Sequence, residues 1–177
     1  MSTGLSALDD PSPAAWLHDG LADTPFPVGR VVTPEFAAYA LVALPEDEEG
    51  TIDEATCSAL IRILTPFTPD PRHCYFAIWV GYAGFDDLPG GTIFVPPNRE
   101  LLIFAGALQD AALSPEPSPG DRRPNRWWPA GHQWCIGSDI YGRTLVVAGS
   151  SECVAAIVQE PALRARTLDP SERVPLL

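Results

Sequence analysis

The stretch Arg126-Trp127-Trp128-Pro129-Ala130-Gly131-His132-Gln133-Trp134 constrains the fold more than any other, because it holds three of the five tryptophans within eight residues. Successive side chains of an extended segment point to opposite faces, so Trp127 and Trp128 cannot enter one core. Pro129 disfavours the helical region for Trp128, which favours the extended reading. One of the two rings must then face a second layer, a groove or a partner. Trp128 is expected to be the exposed one, since Pro129 lacks a backbone donor and suits a sheet edge.

A chain of 177 residues with 46% hydrophobic content is long and apolar enough for one folded domain with a sizeable core. No apolar run approaches the roughly 18 residues of a membrane helix, so no membrane partner is expected. The stretch Met1-Ser2-Thr3-Gly4-Leu5-Ser6 has neither a basic region nor an apolar block, and a secretory leader is not expected. Cys57, Cys74, Cys135 and Cys153 then read as reduced, cytoplasmic thiols. Lysine is absent, which reads as the bias of a GC-rich coding sequence and carries no functional content.

The net charge of −12 is unevenly spread: residues 1–54 carry 11 acidic side chains against one arginine. Nucleic acid needs a surface of the opposite sign and is disfavoured. An acidic third can dock a basic protein partner, but charge runs of this kind more often keep a chain soluble.

Three regions are expected along the chain. Residues 1–29, rich in Pro, Asp, Ser and Gly, read as a loosely held acidic arm on which Trp16 and Leu17 can still dock. Residues 30–168 form the globular domain, and 169–177 a C-terminal tail. Thr33-Pro34-Glu35 suggests a turn leading into a buried strand over Tyr39–Leu44, followed by an exposed acidic loop at 46–50. Thr51-Ile52-Asp53-Glu54 has the form of a capping box, with Thr51 as N-cap of a helix over 51–65 whose Ile52, Leu60, Ile63 and Leu64 share a face. Cys74–Val80 reads as a central strand covered twice, with Phe76, Ile78 and Val80 on one side and Tyr75, Ala77 and Trp79 on the other. Thr92–Val95 and Leu101–Phe104 form a hairpin around Pro96-Pro97-Asn98-Arg99; Gln133–Ile140 and Thr144–Ala148 form another around Tyr141-Gly142-Arg143. Residues 109–126 read as a loop too polar and Pro-rich to pack, and Ser150 caps a closing helix over 151–160.

Several blocks resemble an uncharacterised family of predicted cytoplasmic proteins from high-GC actinobacteria. They are Pro34–Ala40, Cys74–Tyr82, Leu101–Leu108, Pro124–Pro129 and Trp134–Ile140, with the helix start at Gly149-Ser150. The resemblance spans most of 30–166 and implies no established activity. The Tyr141-Gly142-Arg143-Thr144-Leu145 turn departs from the aromatic-rich version that the resemblance leads one to expect there.

Candidate chemistry is sparse. Four cysteines and three histidines show no zinc-ligand spacing; His132-x-x-Cys135 and His73-Cys74 come nearest, and an extended backbone would split each pair between faces. No metal and no cofactor are therefore expected. Cys135, Gly137 and Asp139 share a strand face, but neither a Gly-x-Ser-x-Gly elbow nor a phosphate loop is present. Asp139 and Arg143 suggest a local ion pair at the hairpin tip. Trp and Tyr anchor interfaces when half buried, so the candidate contact residues are Trp128, Trp127, Arg126, Asp139, Trp79 and Tyr82, with Arg122, Arg123 and Arg126 of the loop before Trp128 as a mobile rim.

These features describe a single α+β domain: an antiparallel or mixed sheet of about five or six strands with two packed helices. The favoured function is non-catalytic binding of a basic protein partner, in the manner of an immunity protein, or of a small molecule. An enzyme with a Cys/His or carboxylate site near Trp134–Asp139 is the alternative. A homodimer built on the aromatic patch is a third possibility.

Overall fold

The computed structural model describes residues 4–17, 36–45, 51–82, 85, 88–95, 99–115, 122–140 and 142–172. Its strands, in chain order, are β1 (Ser6–Ala7), β2 (Ala38–Ala43), β3 (Cys74–Trp79), β4 (Thr92–Val95), β5 (Arg99–Gly106), β6 (Arg126–Pro129), β7 (Cys135–Ser138), β8 (Thr144–Gly149) and β9 (Arg164–Thr167). Helix α1 (Glu54–Leu64) follows β2, and helix α2 (Ser151–Val158) joins β8 to β9. The strands form one antiparallel sheet in the order β1-β5-β3-β6-β7-β8-β2-β9. β4 pairs with Arg99–Leu102 and β1 with Phe104 and Ala105, so these two short strands share the outer edge of β5.

The pleat divides the core into two. On one face Phe76 and Trp127, opposite each other across β3 and β6, join Val42, Ile136 and Val147 beneath the two helices, which contribute Leu60, Leu64 and Ile157. On the other face Tyr75 and Trp128 are opposite each other and join Tyr39, Leu41, Ile103 and Val146. The doubly covered β3 expected from its alternation is what forms, because β5 and β6 flank it and apolar residues lie on both sides.

The second face is covered by the segment from Leu8 to Leu17, while Leu5 ahead of it packs with the helix-side core. Of the arm expected over 1–29, residues 4–17 lie against the sheet, with Trp16 and Leu17 docked on it as anticipated; 1–3 and 18–29 lie outside the described residues. Ser6 and Ala7 pair with β5, the Leu8 N–H donates to the Ile103 carbonyl at 2.9 Å, and the Gly91 N–H donates to the Leu8 carbonyl at 2.6 Å. Gly90, at φ 149°, sets up that last bond in a region where glycine is favoured. Beyond a 3-10 turn at Ser12–Ala14, the side chains of Ala14 and Leu17 are fully buried. Leu8, Ala14, Trp16 and Leu17 lie against this apolar face, and the backbone pairing with β5 anchors the segment that carries them.

Other expectations shift in detail. Among the described residues the sheet has nine strands, because β1, β6 and β9 add to the six anticipated. β9 (Arg-Ala-Arg-Thr) lacks the apolar alternation that marks a strand, since it sits at the sheet edge with most of its side chains exposed. The tail expected from 169 onward is, through 172, a turn tied by a Glu172–Arg166 ion pair at 2.9 Å. The N-cap of α1 is Asp53, not Thr51: the Asp53 carboxylate accepts from the Thr56 N–H at 2.9 Å, and the helix begins at Glu54. Ser150 caps α2 by accepting from the Cys153 N–H. Residues 109–126 do pack in part, through a 3-10 turn at Leu108–Ala112 and through buried Arg123, Asn125 and Arg126; 116–121 lies outside the described residues. So do the expected turn at 33–35, the loop at 46–50, and 96–98 and Tyr141 of the two hairpin tips.

Leu60 is fully buried between α1 and the sheet. Leu60→Ala should therefore destabilise the fold by about 2–5 kcal/mol in a denaturant titration, against under about 0.5 for a surface change.

Candidate functional site

Four of the six candidate contact residues meet at one end of the sheet. β3 and β7 finish there and β5 and β6 begin there, which brings Trp79, Asp139, Arg99 and Arg126 together; the turn after β3 adds Tyr82. Asn125, just ahead of β6, pins the corner. Its side-chain oxygen accepts from the Trp79 N–H at 3.0 Å and its amide donates to the Tyr82 hydroxyl at 3.2 Å. Its own N–H donates to the Ala77 carbonyl, so it prolongs the β3–β6 ladder by one residue.

Arg126 is buried, with its Nη1 donating to the carbonyls of Asn125 and Ser138. Its cross-strand neighbours are Ala77 and Gly137, and such small residues leave room for a guanidinium inside the sheet. Burial pulls its pKa below the usual guanidinium value, while Asp139 and Tyr82 act in the opposite sense and Arg99 adds to the lowering.

The half-buried part of the cluster is a run of stacked groups. Arg122 lies over the Tyr82 ring at 4.7 Å, the Tyr82 and Trp79 rings meet edge to face at 5.1 Å, and Arg99 lies 5.9 Å from the Trp79 ring. Arg99 Nε also pairs with Asp139 at 3.3 Å. The expected partner of Asp139 was Arg143, but the β5 terminus brings Arg99 to it instead. Burial raises the Tyr82 pKa above its ordinary value, so its hydroxyl is neutral near pH 7.

Trp127 and Trp128 do not belong to this surface. The segment does split its rings between two faces, yet both are fully buried. Trp128, expected to be exposed, lies between Tyr75 at 5.9 Å and Trp16 at 6.1 Å, beneath the N-terminal segment. Arg123 and Arg126, expected at a mobile rim, are both buried, and Arg123 donates to the carbonyls of Ala112 and Ile52. Sequence reasoning missed Arg99, which reads there only as the last residue of a turn, and Asn125, for which no local signal exists.

The cysteine chemistry is muted. All four thiols are free and buried. Burial pushes Cys74 and Cys135 up to about 12 and Cys153 to about 11, so near pH 7 the nucleophilic thiolate is scarce at all three. His132 stacks on Trp16 at 4.2 Å, and no group of three or more His, Cys, Asp or Glu among the described residues is placed to hold a metal. A separate cleft of about 470 Å3 lies where β2 begins and β9 ends, lined by Phe36, Tyr39, Leu168, Asp169 and Glu172 among others. No helix among the described residues is long and apolar enough to cross a membrane. Compared with known proteins, the chain matches no family model, no curated protein and no solved structure.

Three predictions follow from this geometry. Because Trp128 is core, Trp128→Ala should cost about 3–5 kcal/mol of stability by denaturant titration, not the near-neutral change of a surface anchor. In the native protein the four thiols should react with a disulfide reagent no faster than the fold opens, and all four should react promptly in denaturant; rapid titration of Cys135 in the native state would contradict the burial. The His132 pKa is lowered from 6.5 by burial, so the unfolded chain binds the proton more readily. Stability should accordingly fall as pH drops below about 6.5 and level off once the folded-state pKa is passed; His132→Gln should remove that part of the slope in thermal melts.

Proposed function

We propose that this protein is a non-catalytic binding protein and that the arginine- and aromatic-lined end of the sheet is its contact surface. The observation that carries the reading is the convergence of Trp79, Tyr82, Arg99 and Arg122, all half buried, around a rigid corner fixed by Asn125. Trp, Tyr and Arg are the residue types that dominate binding energy when held half buried on a firm scaffold. The ligand is a small molecule or partner segment that offers acceptor oxygens to the guanidinium groups and a flat apolar surface to the rings. The raised thiol pKa values weigh against the rival reading of a Cys/His enzyme beside Trp134–Asp139.

The acid-rich first third supports a second version of the same function, a basic protein partner bound in the manner of an immunity protein. What supports a cytoplasmic site of action is the set of four thiols with no disulfide among them. We keep the likeness to the actinobacterial family as a proposal on the same footing.

A thermal-shift panel of small carboxylates, phosphates, aromatic acids and organic amines tests the surface. At least one class should raise the melting temperature, and Arg122→Ala should weaken that binding by more than about 1 kcal/mol while leaving the unliganded melt in place. A panel with no shift, or a shift that survives both Arg122→Ala and Tyr82→Ala, contradicts the assignment. Binding only by amines, insensitive to both substitutions and abolished by salt, would move the contact to the acidic third.

A further inference from the structure

We infer that residues 4–17 form a reversible strap, and that Trp16 is the plug by which it closes over an aromatic seat at Trp128, to the exclusion of an aromatic side chain from a partner polypeptide. The inference concerns the opposite face of the sheet from the helices and does not depend on the contact surface proposed above.

The first support is a contrast among the indoles. Trp127 donates its Nε1–H to the Pro124 carbonyl at 2.9 Å, and Trp134 donates to the Thr68 hydroxyl at 3.0 Å. The Nε1 atoms of Trp16 and Trp128 are equally buried but have no acceptor among the described residues, and these are the two rings that meet edge to face at 6.1 Å. A buried donor without an acceptor carries a desolvation penalty that a donor facing water does not. Closure of the strap holds both donors away from bulk water with no acceptor among the described residues, and opening gives them access to it.

The second support is how lightly the strap is tied. β1 has two residues, both exposed, and Leu8 adds two backbone bonds beyond it. From there to Leu17 the strap is held chiefly by side chains, with Trp16 wedged between Phe36, Trp128 and His132. The third support is the wall of the seat. His132 stands at φ 57°, a region unusual for a residue other than glycine, in a turn where its N–H donates to the Pro129 carbonyl. Its ring lies nearly parallel to Trp16, so strap and turn hold each other in place.

Opening uncovers Trp128 and Tyr75 on a firm strand pair, a flat aromatic surface that already accommodates one indole edge to face. An aromatic side chain on an extended or turned segment is the group that fits in its place. The strap then acts as an autoinhibitory contact.

Native-state hydrogen exchange, read on the full chain, tests the strap. The Leu8 and Ala14 amides should exchange at least about tenfold faster than the Phe76 and Ile78 amides of β3, as a unit that opens below global unfolding. Trp16→Ala should speed the strap amides further without touching β3, whereas Trp16→Phe, which keeps a ring and removes the unpaired donor, should not speed them. A labelled peptide of residues 4–17 tests the seat, and should bind the Trp16→Ala chain at least about tenfold more tightly than the parent, whose seat is filled in cis. Strap amides that exchange only together with β3, or equal peptide binding by parent and variant, would overturn the inference. Should Trp16→Ala fail to fold, the exchange order in the parent and the Trp16→Phe comparison decide the matter.

Discussion

The architecture depends on one consequence of strand geometry: two tryptophans adjacent in an extended segment leave the backbone on opposite sides. Trp127 and Trp128 lie in β6, near the middle of the sheet, so each face receives an indole that must be removed from water. A ring of this size buries about 150–250 Å2, which at about 25 cal/mol per Å2 is on the order of 4–6 kcal/mol. A sheet with helices on one face alone would forfeit that on the other. The N-terminal segment supplies the missing layer through Leu8, Ala14, Trp16 and Leu17, over a face lined by Tyr39, Leu41, Ile103 and Val146.

The same pleat separates structural from accessible aromatics. Cross-strand pairs near the middle of β3 and β6 are sealed, Phe76 with Trp127 on one face and Tyr75 with Trp128 on the other. Rings at the β3 terminus, Trp79 and in the turn Tyr82, run out of covering layer and are half buried. There the polar groups of Asn125 and Arg126 take over the ladder, and arginine side chains lie across the exposed ring faces. The end of the sheet is thus both firm and partly open.

Much of this was legible in the sequence where periodicity is strong. The alternation of Phe76, Ile78 and Val80 against Tyr75, Ala77 and Trp79 marks β3 as doubly covered, and the stripe through Leu60, Ile63 and Leu64 marks α1. Where periodicity is weak the reading fails for identifiable reasons. β1 has two residues and β9 alternates arginine with small side chains, so neither carries a hydrophobic signal. The Pro, Ser and Asp content around Ala14, Trp16 and Leu17 masks a segment whose apolar residues act through tertiary contact. At Trp128 the argument from Pro129 fails for the strand and for the ring: β6 lies between β3 and β7 and is no sheet edge, and the donor that Pro129 lacks merely falls beyond the end of the β6–β7 ladder. A missing backbone donor says nothing of what covers the side chain beside it. Of the candidate site, Trp79, Tyr82, Arg126 and Asp139 were legible as residue types, whereas Arg99 and Asn125 join them only through strand register.

The central claim is that the sheet is covered on both faces, with the N-terminal segment closing over Trp128. Proton–proton nuclear Overhauser effects measured on the full chain in solution address it most directly. Ring centroids of 6.1 Å for Trp16 and Trp128 and 4.2 Å for Trp16 and His132 place ring protons of both pairs within range of one another. The account predicts cross-peaks from Trp16 to both rings in the dominant state. Strong cross-peaks within β6 alongside none from Trp16, with residues 4–17 giving the sharp, undispersed signals of a free chain, would contradict it.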